Sequence, residues 1–215
     1  MRALQTAATG MMAQELNVQV ISDNIANLRT TGYKRQQAHF QDLLYHHLRR
    51  AGASTSDQGT QVPAGISLGS GVKAASTART MAQGNLTATE KEFDVAIRGD
   101  GFFRIRLPDG RTAYTRDGSF DLDSQGQRGR IRLVRFENPQ LLRNEGTNLF
   151  SSAAAQPAGN TSRVQAGAIE RSNVQPVVEM SRLIEVNRNY TSVAGMVQRM
   201  DELRRTAISR LADNA

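Results

Sequence analysis

A repeat of apolar residues confined to the two ends constrains this chain more than any other feature. Leu4, Ala7, Met11, Val18, Ile21, Ile25 and Leu28 follow one another at intervals of three, four and seven, interrupted only by Gln14. Such intervals lie on one stripe of a helix. At the far end Leu183, Val186, Tyr190, Val193, Val197, Met200, Ala207 and Leu211 repeat the alternation, with Arg204 as the single break. A 3.5-residue repeat on two segments, separated by most of a 215-residue chain, predicts two helices that pack on each other or on neighbouring subunits. The first helix should stop between Asn27 and Gly32, where poor interior residues precede a glycine able to take positive φ. The second should start after Ser172-Asn173, with Pro176 in its first turn and Glu179 at the positive end of its dipole.

Between the helices the punctuation is of the kind strands use. Residues 52–71 are rich in Gly, Ser, Thr and Gln and read as an extended arm or loop. Short apolar runs then alternate with turns: 93–97, Gly99-Asp100-Gly101, 102–107, Pro108-Asp109-Gly110, 112–115, Arg116-Asp117-Gly118 and 119–122. Strands of this length joined by Asp-Gly turns predict a β meander. Further strands are expected at 131–136 and 164–169. The fold class is therefore α+β, with terminal heptad helices forming a coiled-coil-like core and a central all-β domain of short antiparallel strands. The expected divisions are a helix over 1–35, an arm over 36–70, a β domain over 71–170 and a helix over 171–215.

The catalytic repertoire is thin. The chain has no cysteine, which excludes disulfides, thiolate metal sites and a cysteine nucleophile. His39, His46 and His47 lack the helical spacing of a zinc motif and read as solvated or packing residues. Asp121 to Gly126 resembles the opening of a calcium loop, but Arg132 stands where a bidentate Glu is required, so a turn is the better reading. No phosphate loop, dinucleotide fingerprint or nucleophile elbow is present. No enzyme, metal or cofactor is expected.

Lys and Arg number 27 against 20 Asp and Glu, a net charge of +7. Arg128, Arg130, Arg132 and Arg135 form a local basic run, so nucleic-acid binding is the alternative of another class. Against it, the chain has no Trp and no interleaved aromatic and basic residues on which bases could stack. Alternating Arg and Ile/Leu also fits one strand with a solvated face. No apolar run approaches the roughly 18 residues of a membrane span, and polar residues interrupt the start too early for a cleaved signal.

One segment is recognisable as it stands. Ser22-Asp23-Asn24-Ile25-Ala26-Asn27-Leu28-Arg29-Thr30-Thr31-Gly32-Tyr33-Lys34 resembles the N-terminal signature of flagellar rod and hook proteins. Its Asn24 and Asn27 offer amides for helix-end or intersubunit hydrogen bonds. The resemblance continues through Gly65 to Val72, Gln83-Gly84-Asn85-Leu86, Phe93 to Phe103 and Tyr114 to Phe120. Ser172-Asn173-Val174, Glu179-Met180 and Arg188-x-Tyr190 are similar to the family's C-terminal helix signature. The arm resembles the distal branch of the rod family, and the tail from Asp201 to Ile208 its proximal branch. After Gln127 the middle domain looks shortened, since only Arg128 to Arg132 precede a segment the family reaches later.

The resemblance implies a structural subunit of the flagellar basal-body rod, distal in the first place and proximal in the alternative. It implies self-assembly into a helical drive shaft, contact with other rod and hook proteins, and passage through the outer ring proteins. It also implies unfolded export across the periplasm by the flagellar type III machinery without a cleaved signal peptide. The assembly interface expected from the stripes comprises Leu4, Met11, Val18, Ile21, Ile25 and Leu28 with Leu183, Val186, Tyr190, Val193, Val197 and Met200.

Overall fold

A computed structural model describes residues 2–44, 46–49, 66–107, 109–120, 132–146, 148–152, 155–157 and 162–213. Helix α1 (Arg2–Ala26) opens the chain and α2 (Pro176–Asp213) closes it. Between them run β1 (Gln36–Asp42), β2 (His46–Arg49), β3 (Ile66–Leu68), β4 (Val72–Arg79), β5 (Leu86–Ala88), β6 (Val95–Arg98) and β7 (Phe102–Arg106). There follow β8 (Thr112–Thr115), β9 (Arg132–Arg135), β10 (Arg143–Gly146), β11 (Leu149–Ser151), β12 (Gln156–Pro157), β13 (Arg163–Ala166) and β14 (Ala168–Glu170). The molecule therefore has terminal helices and a central antiparallel β region, as the sequence implies. α2 starts with Pro176 at its first position, where a missing N–H costs nothing.

The chain divides into two compact units. One comprises residues 1–20, 38–77 and 181–215, and the other 21–37 and 78–180. The first unit holds most of both helices and the arm. At the base of the arm β1 pairs with β4 and β2 with β3. Leu43 N–H donates to Gly71 O at 2.8 Å and Ser70 Oγ to Leu44 O at 2.6 Å, so the base of the arm is a ladder closed by local bonds. The stretch from Ala51 to Ala64 lies outside the described residues.

The second unit is built on a six-stranded sheet in the order β10-β11-β8-β7-β9-β12. β7 carries Phe102 and Phe103 side by side, and successive residues of a strand point to opposite faces. Phe102 packs with Tyr114, Val134, Phe136 and Phe150, while Phe103 packs with Val95 and Ile97. The sheet thus buries aromatic surface on both faces, with edge-on ring pairs such as Tyr114–Phe136 at 4.9 Å between centroids. Phe102, Phe103, Tyr114, Phe120, Phe136 and Phe150 of an aromatic-poor chain gather here.

The meander expected over 93–122 is only partly realised. β7 and β8 form the hairpin, with Leu107 N–H bonded to Arg111 O at 2.9 Å and Gly110 at φ 85°. β6, however, pairs with β13 rather than β7, and residues 119–120 form no strand, only a bridge from Ser119 to Asp94. The single strand expected over 164–169 is two. Gly167 sits at φ 70°, a conformation that breaks the ladder and sends β13 to β6 and β14 to β5. The hairpin of β10 and β11 had no sequence expectation; its run Arg143-Asn144-Glu145-Gly146 is polar and exposed, with no apolar alternation to betray it.

Candidate functional site

The N-terminal signature folds back on itself just beyond α1. Asn24, fully buried, uses both ends of its amide on the backbone of Gln36: Nδ2 donates to the carbonyl oxygen and Oδ1 accepts from the N–H, each at 2.8 Å. The side chain thereby replaces a strand partner and fixes the return of the chain. Tyr33 Oη donates to Asn24 Oδ1 at 3.2 Å. Gly32 does take positive φ, at 65°, but it stands past the helix end rather than capping it. Its N–H donates to Glu170 O at 2.8 Å, and a Cβ there would lie 2.5 Å from Asp117 N. Close backbone approach, not helix termination, requires this glycine.

Lys34 then points inward, with its ammonium 2.6 Å from Glu170 Oε1 and 2.8 Å from Ala82 O. Glu170 also accepts from Gly84 N–H at 2.9 Å and, on its second oxygen, from Arg116 Nη1 at 2.8 Å. Lys34 and Glu170 are each 1% exposed and Arg116 3%. A buried charge is tolerated only when its neighbours replace the water it lost. Here two cations share one carboxylate, and Arg116 extends further to Gly99 O at 2.9 Å and over the ring of Phe102. Burial pushes the Lys34 pKa down, opposed by Glu170 and reinforced by the Arg116 charge. Gly84 is sterically obligatory, because a Cβ would lie 2.0 Å from Arg171 O.

A second ion pair joins the start of α2. Glu179, fully buried in the first turn, accepts from Arg35 Nε at 2.5 Å and from Asn24 Nδ2 at 3.5 Å. Its expected role at the positive end of the helix dipole is thus combined with a direct contact. Asn173 accepts the Arg35 N–H at 2.7 Å and donates to Thr80 O and Ala82 O. Residues more than a hundred positions apart are therefore held by one polar clasp. Beside it opens a polar cleft of about 450 Å³, lined by Asp23, Asn27, Tyr33, Gln36, Arg79 and Asp117 among others. Burial and the charge of Asp23 push the Tyr33 phenol up to about 12.

Asn24, Gly32, Tyr33, Lys34 and Val174 are buried, Ile25, Asn27, Ser172 and Asn173 half-buried, and Ser22, Asp23 and Ala26 exposed. Asn27 Nδ2 donates to Asp23 O at 2.8 Å, closing the end of α1. Asn24 and Asn27 thus have bonds within the chain. Among the stripe residues only Ile21 is buried. Leu4, Met11, Val18, Ile25, Leu28, Leu183, Val186, Tyr190, Val193, Val197 and Met200 are half-buried. α2 also leaves Val177, Ile184, Met196 and Leu203 exposed off the stripe.

Glu170, Arg116 and Arg35 are the residues that sequence reasoning missed. Their partners lie 136, 54 and 144 positions away, so no local spacing announces them. The one available signal was parity: Glu170 shares a strand face with the fully buried Ala168. Of the other candidates, His39 is exposed on β1, and the side chains of His46 and His47 lie outside the described residues. So do Asp121 to Gly126, Arg128 and Arg130. Arg132 and Arg135 flank Leu133 and Val134 instead of alternating along one solvated face. Among the described residues no group of three His, Asp or Glu could hold a metal ion, and no helix is long and apolar enough to cross a membrane.

Comparison with known proteins is consistent along the chain. Residues 4–34 match the family model described as Flagella basal body rod protein, 96–131 the Flagellar hook protein FlgE/F/G D1 domain, and 165–210 the Flagellar basal body rod FlgEFG protein C-terminal. The clasp draws Asn24, Tyr33 and Lys34 from the first match, Arg116 from the second, and Glu170, Asn173 and Glu179 from the third. Flagellar basal-body rod protein FlgG of Caulobacter vibrioides is 37% identical over 253 aligned positions, covering 94% of this chain and 97% of the relative. The FlgG of Borreliella burgdorferi is 36% identical, covering 94% and 96%. Flagellar basal-body rod protein FlgF of Caulobacter vibrioides is 30% identical, covering 97% of each.

Proposed function

The chain belongs to the flagellar basal-body rod family, and on that premise we propose that it is a subunit of the distal rod, stacking with its own copies into a helical drive shaft. As a family member it is a structural subunit of the flagellum that assembles with rod and hook proteins, not an enzyme. The distal position rests on one observation. Within a single organism, Caulobacter vibrioides, identity is 37% to the FlgG rod protein, the distal type, and 30% to the FlgF rod protein, the proximal type. The proximal reading draws on the tail from Asp201 to Ile208. The 253 aligned positions exceed the 215 residues of this chain, which supports a middle domain trimmed near 127–131.

A shaft is an open stack, so each subunit must offer two different complementary surfaces that never close on themselves. The two stripes supply them. Leu4, Met11, Val18 and Ile25 of one copy meet Val186, Val193, Val197 and Met200 of another in an inner coiled-coil-like tube, with Ile21, Leu28, Leu183 and Tyr190 extending the seam. Support comes from their half-burial in the single chain, which leaves apolar surface open to a neighbour. Helices in proteins draw most of their stability from tertiary packing of an amphipathic face, which suits a subunit that travels unfolded through the type III channel without a cleaved signal, orders at the growing tip, and turns inside the outer ring proteins. Val18→Asp or Val193→Asp places a charge in a desolvated seam and should abolish incorporation into rods. Normal incorporation of either variant overturns the seam. Complementation of strains lacking either the distal or the proximal rod protein separates the two positions: rescue of the distal strain alone is expected.

A further inference from the structure

The basic run that the rod reading leaves unused acquires a geometry in the sheet. Arg132 of β9 stands directly opposite Arg104 of β7, and Arg106 follows on the same face two residues along. All three are exposed, and among the described residues none has an ion pair. Side chains in that register have Cβ atoms roughly 5 Å apart, and like charges so placed destabilise a sheet. The same arrangement recurs independently: Arg98 of β6 faces Arg163 of β13, both exposed and both unpaired. Of the other cations in this unit, Lys34, Arg35 and Arg116 are answered by buried glutamates and exposed Arg111 by Asp109 and Glu145, while exposed Lys91, Arg135, Arg143 and Arg171 stand singly without facing a like charge. The two opposed arginine pairs thus set like charges face to face, with no anion paired to them among the described residues.

We propose that the arginine face formed by Arg104, Arg106 and Arg132 docks the carboxylate-rich face of a different protein of the flagellum, an inference that rests on the rod-family reading. A second copy does not fit. Its described exposed acids lie together only as Glu90 and Glu92 in one loop and Asp201 and Glu202 on α2, no two face each other in any described ladder, and Asp109 and Glu145 are already engaged. Nucleic acid fits less well than carboxylates: Tyr114, the aromatic in the same cross-strand row, is buried and offers no stacking platform. Planar guanidinium forks bind carboxylates two-pronged, which suits a flat row of arginines.

The probe is labelled poly-L-glutamate, titrated against the purified full chain by fluorescence anisotropy at low and high salt. The variant Arg104→Gln/Arg106→Gln/Arg132→Gln should bind at least tenfold more weakly at low salt and lose much of its salt dependence. A control of equal charge, Lys73→Gln/Lys91→Gln/Arg171→Gln, should change binding less than threefold. Equal losses in both variants, no binding of poly-L-glutamate by the parent, or tighter binding of duplex DNA of matched length would each overturn the proposal. Sedimentation of the same samples at high concentration keeps the two readings apart. A patch variant that still self-associates leaves the rod reading standing, whereas a parent that never associates overturns that reading and leaves the anisotropy result to judge the arginine face.

Discussion

The clasp of the β unit and the stripes of the terminal helices solve opposite problems with the same chain. In the clasp each buried ion has a partner of opposite sign within 3 Å: Lys34 and Arg116 on Glu170, Glu179 on Arg35. Along the stripes, apolar residues such as Val18 and Val193 are only half-buried, and large side chains such as Ile184 and Leu203 stand in the open. The first region completes itself. The second, on our account, is completed by other copies. Buried polar chemistry specifies a fold because only one arrangement satisfies it, whereas apolar stripes are permissive until a partner of the right shape arrives.

The largest way to break this contrast is Glu170→Ala. It leaves two cations buried without an anion, and should cost about 3–5 kcal/mol in urea unfolding of the whole chain. A loss under about 1 kcal/mol would show that the clasp is solvated in solution. Gly84→Ala should come next, at about 1–3 kcal/mol, because the backbone of Arg171 must yield to the new methyl group. The same unfolding measurement checks it.

Alkaline pH gives a sharper view of the clasp. Tyr33 keeps its proton in the folded chain up to about 12, while the unfolded chain loses it near 10, so folding stability should fall as pH rises through that interval. Lys34 acts in the other direction. Its folded pKa lies below the ordinary value of 10.5, so its contribution rises as pH climbs toward that value. Tyr33→Phe should therefore reduce the alkaline loss between pH 10 and 12 by on the order of 2 kcal/mol, read from urea midpoints. An unchanged pH profile would remove Tyr33 from the buried network. The smallest effect should belong to Val193→Asp in dilute monomer, where a half-buried site is expected to shift stability by less than about 1 kcal/mol even though assembly fails.

Much of this could be read in the residues themselves. Periodicity located both helices, because a 3.5-residue repeat depends only on neighbours a turn or two away. Pro176 marked the first turn of α2, and Pro108 to Gly110 marked the β7–β8 hairpin. What local pattern could not supply was pairing over distance. β6 chose β13 over the adjacent β7, and Val164 to Ile169 divided because Gly167 sits in the left-handed region; an isolated glycine in a strand pattern is the signal that was available. The signature residues are visible, and Asn24 is legible as an amide at the helix end, but its bonds to the backbone of Gln36 cross a reversal that no periodicity encodes. Glu170 was least legible, since a lone carboxylate at a strand end gains its meaning only from Lys34 and Arg116.

Hydrogen exchange, compared between dilute monomer and assembled material, tests the contrast directly. Amides of α1 over residues 4–18 and of α2 over 183–200 should exchange rapidly in the monomer and become strongly protected on assembly, while those of Tyr33, Lys34 and Glu170 remain slow in both. Full protection of both helices in a persistently monomeric sample would show that nothing is waiting for a neighbour, and would contradict the account.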